Sequence, residues 1–386
     1  FGSGSLAFTA IDSIVISDKV TTVGTAVWEG CRNLTELVLS DTAEYLSYQS
    51  FYAGTGFTEI VVPEAITADN MFLFDGCENL EKVTFLNTES TSVGDYAFID
   101  TRALKEIIGL ENVERIGSSA FQESGITSAI FPKVTVLGTS AFQSADKLEV
   151  AEFENLETVE IGWLGFAWTF KDCTSLRSFT ISEKLGNISV SDVFSGCIAL
   201  EEINAHENNA YFASEDGVLF NKEMTNIILY PTASENVEFD IPETVSVIGE
   251  GVFANAKNLR KITMPSVTVV DASAFENSGL TEVVVDALVE IGANAFANTP
   301  LETIDLRKVE VIDDKAFFET KLTEIVLENA YYVGNKTFGN VETLTKVVLG
   351  DVGEFNFSRT FFNSKNIGEI KLVGCEAFVL ENDFLY

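Results

Sequence analysis

The chain has 386 residues, 46% of them apolar, more than one globular core usually organises; about two or three domains, or a repeat in which each unit packs only on its neighbours, would accommodate them. With 24 basic against 59 acidic side chains the net charge is −35, a surface that repels phosphate backbones and anionic membranes and so argues against a nucleic-acid partner. No run approaches the ~18 consecutive apolar residues of a membrane helix, so direct membrane insertion is not expected.

In chain order, the organising signal is a recurring aromatic residue: Trp28, Phe51, Phe74, Phe98, Phe121, Phe142, Phe170, Phe194, Phe253, Phe275, Phe296, Phe317, Phe338 and Phe361. Successive steps are 21 to 24 residues, apart from one of 28 (142 to 170) and one of 59 (194 to 253). Five or six residues after each anchor an apolar triplet begins, as in Leu34, Leu37 and Leu39, or Leu80, Val83 and Phe85, or Leu301, Ile304 and Leu306. This is the L-x-x-L-x-L spacing of a leucine-rich repeat, and its period-2 end predicts a short strand with alternate side chains inward. Before the anchor stands a glycine and an alanine, as in Val93-Gly94 before Ala97-Phe98 and Ile116-Gly117 before Ala120-Phe121. The glycine suits a turn with positive φ or a close backbone approach, and Ala-Phe suggests a single helical turn that drops the ring inward. The expected architecture is an α/β repeat: a right-handed solenoid of about fourteen coils, strand-rich with short helical turns, its aromatic column forming the spine.

The two long steps interrupt this regularity. The 28-residue step holds Trp163 and Trp168; an irregular coil packing its extra bulk inward is the expected reading, and an exposed platform on which a sugar stacks is the alternative. In the 59-residue step, 217–220 and 226–230 read as two strands around a turn at 221–225, a β-hairpin. The organisation expected is therefore N-terminal repeats over 1–203, a hairpin insertion at 204–236 and C-terminal repeats over 237–386, all in one continuous solenoid.

Little here suggests catalysis. Cys31, Cys77, Cys173 and Cys197 each lie three residues after an anchor, a repeat position that reads as a small buried hydrophobe. Cys173 and Cys197 fall on adjacent coils, which leaves a disulfide open, and Cys375 lies outside the pattern. No C-x-x-C suggests zinc. The single histidine, His206, reads as solvated and leaves no Ser-His or Cys-His pair. Phosphate-loop, nucleophile-elbow and dinucleotide motifs are absent. The expectation is a protein that is no enzyme and uses no cofactor or metal.

The strand face carries the most information. Its outward column runs Val38, Val61, Thr84, Ile108, Ile130, Glu152, Thr180, Asn204, Thr263, Val284, Asp305, Val326, Val348 and Lys371. Half of these are Val or Ile. Strand propensity alone could place them there; the functional alternative is an apolar stripe that meets a partner. A neighbouring column, Glu36, Glu59, Lys82 and Glu106, then Glu282, Glu324 and Glu369, would rim the stripe with acid.

The segment VGDYAFIDTRALKEI (93–107) resembles the BspA-like leucine-rich repeats of bacterial surface proteins, whose unit is roughly I-G-x-x-A-F-x-x-C-x-x-L-x-x-V-x-I-P. FDGCENLEKVTF (74–85) and FSGCIALEEI (194–203) carry the middle of that pattern; VVP (61–63), IP (241–242) and MP (264–265) carry its end. NAYFASEDGVLFNKEMTNIILYP (209–231) resembles an insertion seen in the family. The resemblance covers residues 20–375. It implies a surface-anchored or secreted bacterial adhesion module, monomeric, that recognises an extracellular protein through its strand face. Glycan binding through Trp163 and Trp168, or a structural spacer or self-associating stalk, are the alternatives. In one respect the sequence departs from the general repeat: no Asn ladder follows L-x-x-L-x-L, so backbone groups at that turn must be satisfied otherwise.

Overall fold

A computed structural model describes residues 1–40, 43–47, 49–186, 188–350 and 357–373; Cys375 lies outside the described residues. The fold is a strand-rich solenoid of about 15 turns with almost no helix. Two compact units form, Phe1–Leu200 with Asn204–Tyr211 and Glu201–Ile203 with Phe212–Tyr386.

In the first unit each coil contributes a strand to one face, and neighbouring strands pair in parallel. Ser13–Val15 pairs with Glu36–Val38. Glu59–Val62, Lys82–Phe85 and Glu106–Ile108 form a second run, and Ser128–Ile130 begins a third with Val150–Glu152 and Ser178–Ile181. Alternation is as expected: Leu37, Ile60, Val83 and Ala129 are buried, while Glu36, Val38, Glu59 and Val61 are exposed. A second ladder of two-residue strands, among them Ser92–Val93, Arg115–Ile116, Val136–Leu137 and Thr158–Val159, runs along another side of the coils. The second unit repeats both ladders, for instance Lys261–Met264 on Glu282–Val285 and Val247–Ile248 on Val269–Val270.

Within each unit the anchors stack face to face. Trp28 and Phe51 have centroids 5.2 Å apart at 8°, Phe98 and Phe121 5.1 Å at 4°, and Phe317 and Phe338 5.3 Å at 3°, within the spacing of favourable offset aromatic pairs. The column starts one coil earlier than the aromatic repeat indicates. The N–H groups of Gly4, Leu6 and Phe8 donate to the carbonyls of Thr25, Val27 and Glu29, as Tyr96, Phe98 and Asp100 donate to Ser118, Ala120 and Gln122. Leu6 thus holds the anchor place of an additional turn, and an aliphatic anchor is invisible to a search for aromatics.

The anchor segments are not helical turns. Residues two before and two after the anchor adopt positive φ: 58° and 61° at Tyr96 and Asp100, 56° and 59° at Asn294 and Asn298. Left-handed residues stop a helix from propagating, so each coil closes through tandem turns. Among the described residues only Val190–Val193 and Phe357–Thr360 are helical. A non-glycine residue in this region costs roughly 1–2 kcal/mol. The cost is offset because most of these residues, such as Tyr96, Asp100, Asn294 and Asn298, donate an inter-coil hydrogen bond and because the ring between them is buried. Asn, which tolerates this conformation better than most residues, occupies it at 255, 277, 294, 298, 340 and 363. The glycine four before the anchor serves close approach instead: a Cβ on Gly94 would meet the Asp69 and Asn70 carbonyls.

The cysteines supply hydrogen bonds. The Cys77 thiol donates to the Phe51 carbonyl at 2.8 Å, Cys173 to Phe142 at 3.0 Å, Cys197 to Phe170 at 3.1 Å and Cys31 to Leu6 at 3.0 Å, in each case the anchor of the preceding coil. All four are free, so Cys173 and Cys197 form no disulfide. At the same position Thr101 and Thr299 bond their own coil's anchor carbonyls. Scattered asparagines serve the turn after the strand: Asn87, Asn112 and Asn155 each donate to a carbonyl of the coil before at 2.8 Å.

The insertion contains the expected hairpin, Val218–Asn221 against Ile227–Leu229, and adds a third strand, Phe212–Glu215. Asp216 and Gly217 join the first two strands at φ 49° and 75°, the Asp-Gly signature of a two-residue hairpin turn. Val218, Phe220, Ile227 and Tyr230 enter the core of the second unit.

Two predictions test this construction. Phe296→Ala removes an interior ring of the spine and is expected to lower stability in urea unfolding by about 3–5 kcal/mol; an unchanged midpoint would remove the spine assignment. Burial pushes the Cys77 and Cys197 thiols up to about 12, whereas an unfolded thiol ionises near about 8.5. Their contribution is therefore complete below the unfolded value and is lost as pH rises through the folded one. Stability should fall between about pH 9 and 12, and less steeply in a Cys77→Ser/Cys197→Ser variant, which keeps a donor without the titration; equal slopes would contradict the role given to the thiols.

Candidate binding surface

The outward column of the first unit is an aliphatic stripe. Val38, Val61, Ile108 and Ile130 are all exposed, Val61 at 52% and Ile130 at 56%. Val15, on the additional coil anchored by Leu6, extends the stripe and is exposed at 69%. It lies on three separately paired runs: Val15 opposite Val38; Val61, Thr84 and Ile108 in register; and Ile130 opposite Glu152, where it ends. In the second unit the column is mixed. Val284 is exposed beside Thr263, while Val326 and Val348 are half-buried and lead to Lys371.

The acidic rim is partly neutralised from within. Lys82 reaches Glu106 at 2.7 Å, Lys261 reaches Glu282 at 3.0 Å and Lys346 reaches Glu324 at 2.6 Å. These hydrogen bonds hold the lysine ammonium groups above their ordinary pKa. Glu36 and Glu59 are exposed, and Lys82, directly across from Glu59, also feels its charge.

The tryptophan coil does not pack its extra bulk inward. Gly162 N–H donates to the Phe166 carbonyl at 2.9 Å, closing a small loop in which Gly165 takes φ 84°. Because the excess length is taken up between Val159 and Ala167, the anchor Phe170 keeps its place and stacks on Phe142 at 5.4 Å. The loop turns Trp163 out to 94% exposure, beside exposed Ile161, Leu164 and Phe166. Trp168 differs: it is half-buried, stacks on Phe166 at 5.1 Å and has the Lys171 ammonium 4.7 Å from its ring centroid.

Among the described residues no group of three or more His, Cys, Asp or Glu could hold a metal ion. His206 is exposed, and its Nδ1 accepts the Asn208 N–H at 3.2 Å. The arrangement on the strand face is suited to apolar contact bordered by carboxylates.

No curated protein matches the sequence. A leucine-rich repeat protein from Bacteroides ovatus is 20% identical, with 94% of this chain and 91% of that one covered at a TM-score of 0.54. The pneumococcal vaccine antigen PcpA is 20% identical over 85% of this chain and 81% of that one, with a TM-score of 0.50. Both likenesses are of fold. The description "BspA type Leucine rich repeat region" matches residues 1–127, 71–168, 91–222 and 230–345, most of the chain's length, and the chain belongs to that family.

Proposed function

We propose that this chain is a non-catalytic binding module, monomeric and displayed at a bacterial surface or secreted, that recognises an extracellular protein through the strand face of its first unit. The observation that carries the reading is the run of Val15, Val38, Val61, Ile108 and Ile130 exposed on that face. Strand propensity does not demand it, since the same position holds Thr263, Asp305 and Lys371 elsewhere. Contiguous exposed apolar side chains bordered by charge favour a protein partner. A surface location accords with the family resemblance, and one protein of similar fold is a vaccine antigen. Buried, protonated thiols and a lone exposed histidine give no support to nucleophilic chemistry. The full exposure of Trp163 favours a second reading, a glycan stacked on that ring; Trp168 is less suited, being already engaged by Phe166 and Lys171.

Val61→Asp/Ile108→Asp/Ile130→Asp should cut capture of the partner from extracellular-matrix, mucin or bacterial-surface extracts at least tenfold, because each substitution places an unpaired carboxylate in a desolvated contact, while the thermal melt stays unchanged. Capture equal to the parent's would refute the strand face. On a glycan array, signal that disappears in Trp163→Ala would establish the second reading, and a blank array would reject it.

A further inference from the structure

Five consecutive coils of the first unit place Phe72, Tyr96, Ser119, Ser140 and Trp168 at one position, two residues before the anchor, all at positive φ between 47° and 58°. Phe72, Tyr96, Ser119 and Ser140 each donate a main-chain N–H to the next coil at 2.8 to 3.0 Å, so these side chains follow one another along the stacking direction. The aromatic members stack: Phe72 and Tyr96 have centroids 4.5 Å apart at 3°. Serine at 119 leaves the other face of Tyr96 uncovered, and the column stays open until the aromatic pair of the Trp168 coil.

That pair is Phe166 and Trp168, 5.1 Å apart at 5°. The Lys171 ammonium lies 4.7 Å from the Trp168 centroid; it and the Phe166 ring are too close to share one face of the indole and so cover opposite faces. The Phe166 carbonyl accepts the Thr139 hydroxyl at 3.3 Å, which sets Phe166 against the coil of Ser140. Its ring therefore covers the Trp168 face turned toward the serines. From Tyr96 to Trp168 is about 14 Å, three coil steps of ~4.8 Å, and Phe166 takes up one step. The interval left between Tyr96 and Phe166 is about 9–10 Å. One ring placed midway would lie roughly 5 Å from each wall, within the spacing of favourable ring stacks.

The floor of this slot is polar and unsatisfied. Ser119 and Ser140 are 7% and 8% exposed, and neither hydroxyl has a hydrogen-bond partner among the described residues. Neither is sealed in the core as the Ser124 and Ser278 hydroxyls are; each reaches the surface at the slot, where its donor and acceptor await a partner. Arg115 forms one side. It stands on the Ser119 coil and reaches Asp95 of the Tyr96 coil at 3.7 Å and Glu160 of the Trp168 coil at 2.9 Å, so the three side chains run the length of the slot. The guanidinium is answered within this triad and is not free to hold an anion. We infer that the slot binds one neutral pyranose ring, its C–H faces between Tyr96 and Phe166 and its hydroxylated edge on Ser119 and Ser140. An aromatic guest would satisfy the walls and leave both serine hydroxyls unmet, and an acidic sugar would meet the excess carboxylate of the triad. The inference is independent of the strand-face reading, and it places the sugar on rings other than Trp163.

The test presents the full chain to an array of neutral, sialylated and sulfated glycans and titrates the best neutral binder by calorimetry. Neutral glycans should bind and acidic ones should not. Ser119→Trp fills the slot with a ring of the chain's own; Trp168 takes the same backbone conformation with an indole, so the melt should be unchanged while affinity falls at least tenfold. Phe166→Ala, which removes one wall, should weaken binding as much, and Trp163→Ala should leave it as it is. A blank array, a preference for acidic glycans, or neutral binding that survives Ser119→Trp would overturn the inference. Loss in Trp163→Ala alone would overturn it and leave the glycan on Trp163. Binding of p-cresol, blocked by Ser119→Trp, with no sugar bound would overturn it in favour of an aromatic side chain from a protein partner.

Discussion

Phe98 enters the core between Tyr96 and Asp100, two residues held at positive φ, and its N–H together with theirs donates to the coil above. The same arrangement recurs coil after coil and makes the stacking geometry self-consistent. Rings about 5 Å apart match the rise of a parallel strand ladder, ~4.8 Å, so one translation satisfies the spine, the tandem turns and the strands together. The backbone strain in the turns persists because three hydrogen bonds and a buried ring over-determine it. A single coil has none of this alone, which is why stability in such an array is carried by nearest-neighbour contacts.

What was legible in the sequence follows from which features depend on side-chain periodicity. The anchors from Trp28 to Phe361 and most of the alternating strands are written in residue type and stand where the spacing places them; Leu301, Ile304 and Leu306 form no strand, only an isolated bridge from Thr303 to Glu282. Leu6 escaped because its coil uses an aliphatic anchor. The turns were misread as helical because Ala-Phe has respectable helix propensity, whereas the deciding residues at anchor −2 and +2 are chemically diverse: Tyr96, Ser119, Lys315 and Asn294 all adopt the same positive φ. Their conformation is imposed by the inter-coil ladder, which no single coil encodes. Asp216-Gly217 was readable and would have given the third strand of the insertion. The outward turn of Trp163 depends on a loop closed by two main-chain hydrogen bonds, Gly162 to Phe166 and Gly165 to Gly162, and composition does not announce it.

The candidate surface was partly legible for the same reason. Outward positions follow from the repeat, so Val38, Val61, Ile108 and Ile130 could be named in advance. Exposure could not, because it depends on neighbouring columns: Val326 and Val348 hold equivalent positions and are half-buried. Charge sharpens the contrast. The lysines at 82, 261 and 346 each satisfy a glutamate of the adjacent coil; such exposed pairs contribute little to stability, yet they determine where unpaired acid remains.

Two seams in the strand ladder, between Glu36–Val38 and Glu59–Val62 and between Glu106–Ile108 and Ser128–Ile130, show how a repeat protein can alter its surface without loosening its core. At the first, Trp28 still stacks on Phe51 at 5.2 Å, and Gly30 N–H still reaches the Ala53 carbonyl at 2.8 Å. At the second, Phe98 stacks on Phe121 at 5.1 Å and bonds Ala120 at 2.8 Å. The two coils on either side of each seam therefore remain joined through their spine side while their strand sides part. The spine sets the stability of the array, and the strand side is left free to vary in shape from one coil boundary to the next.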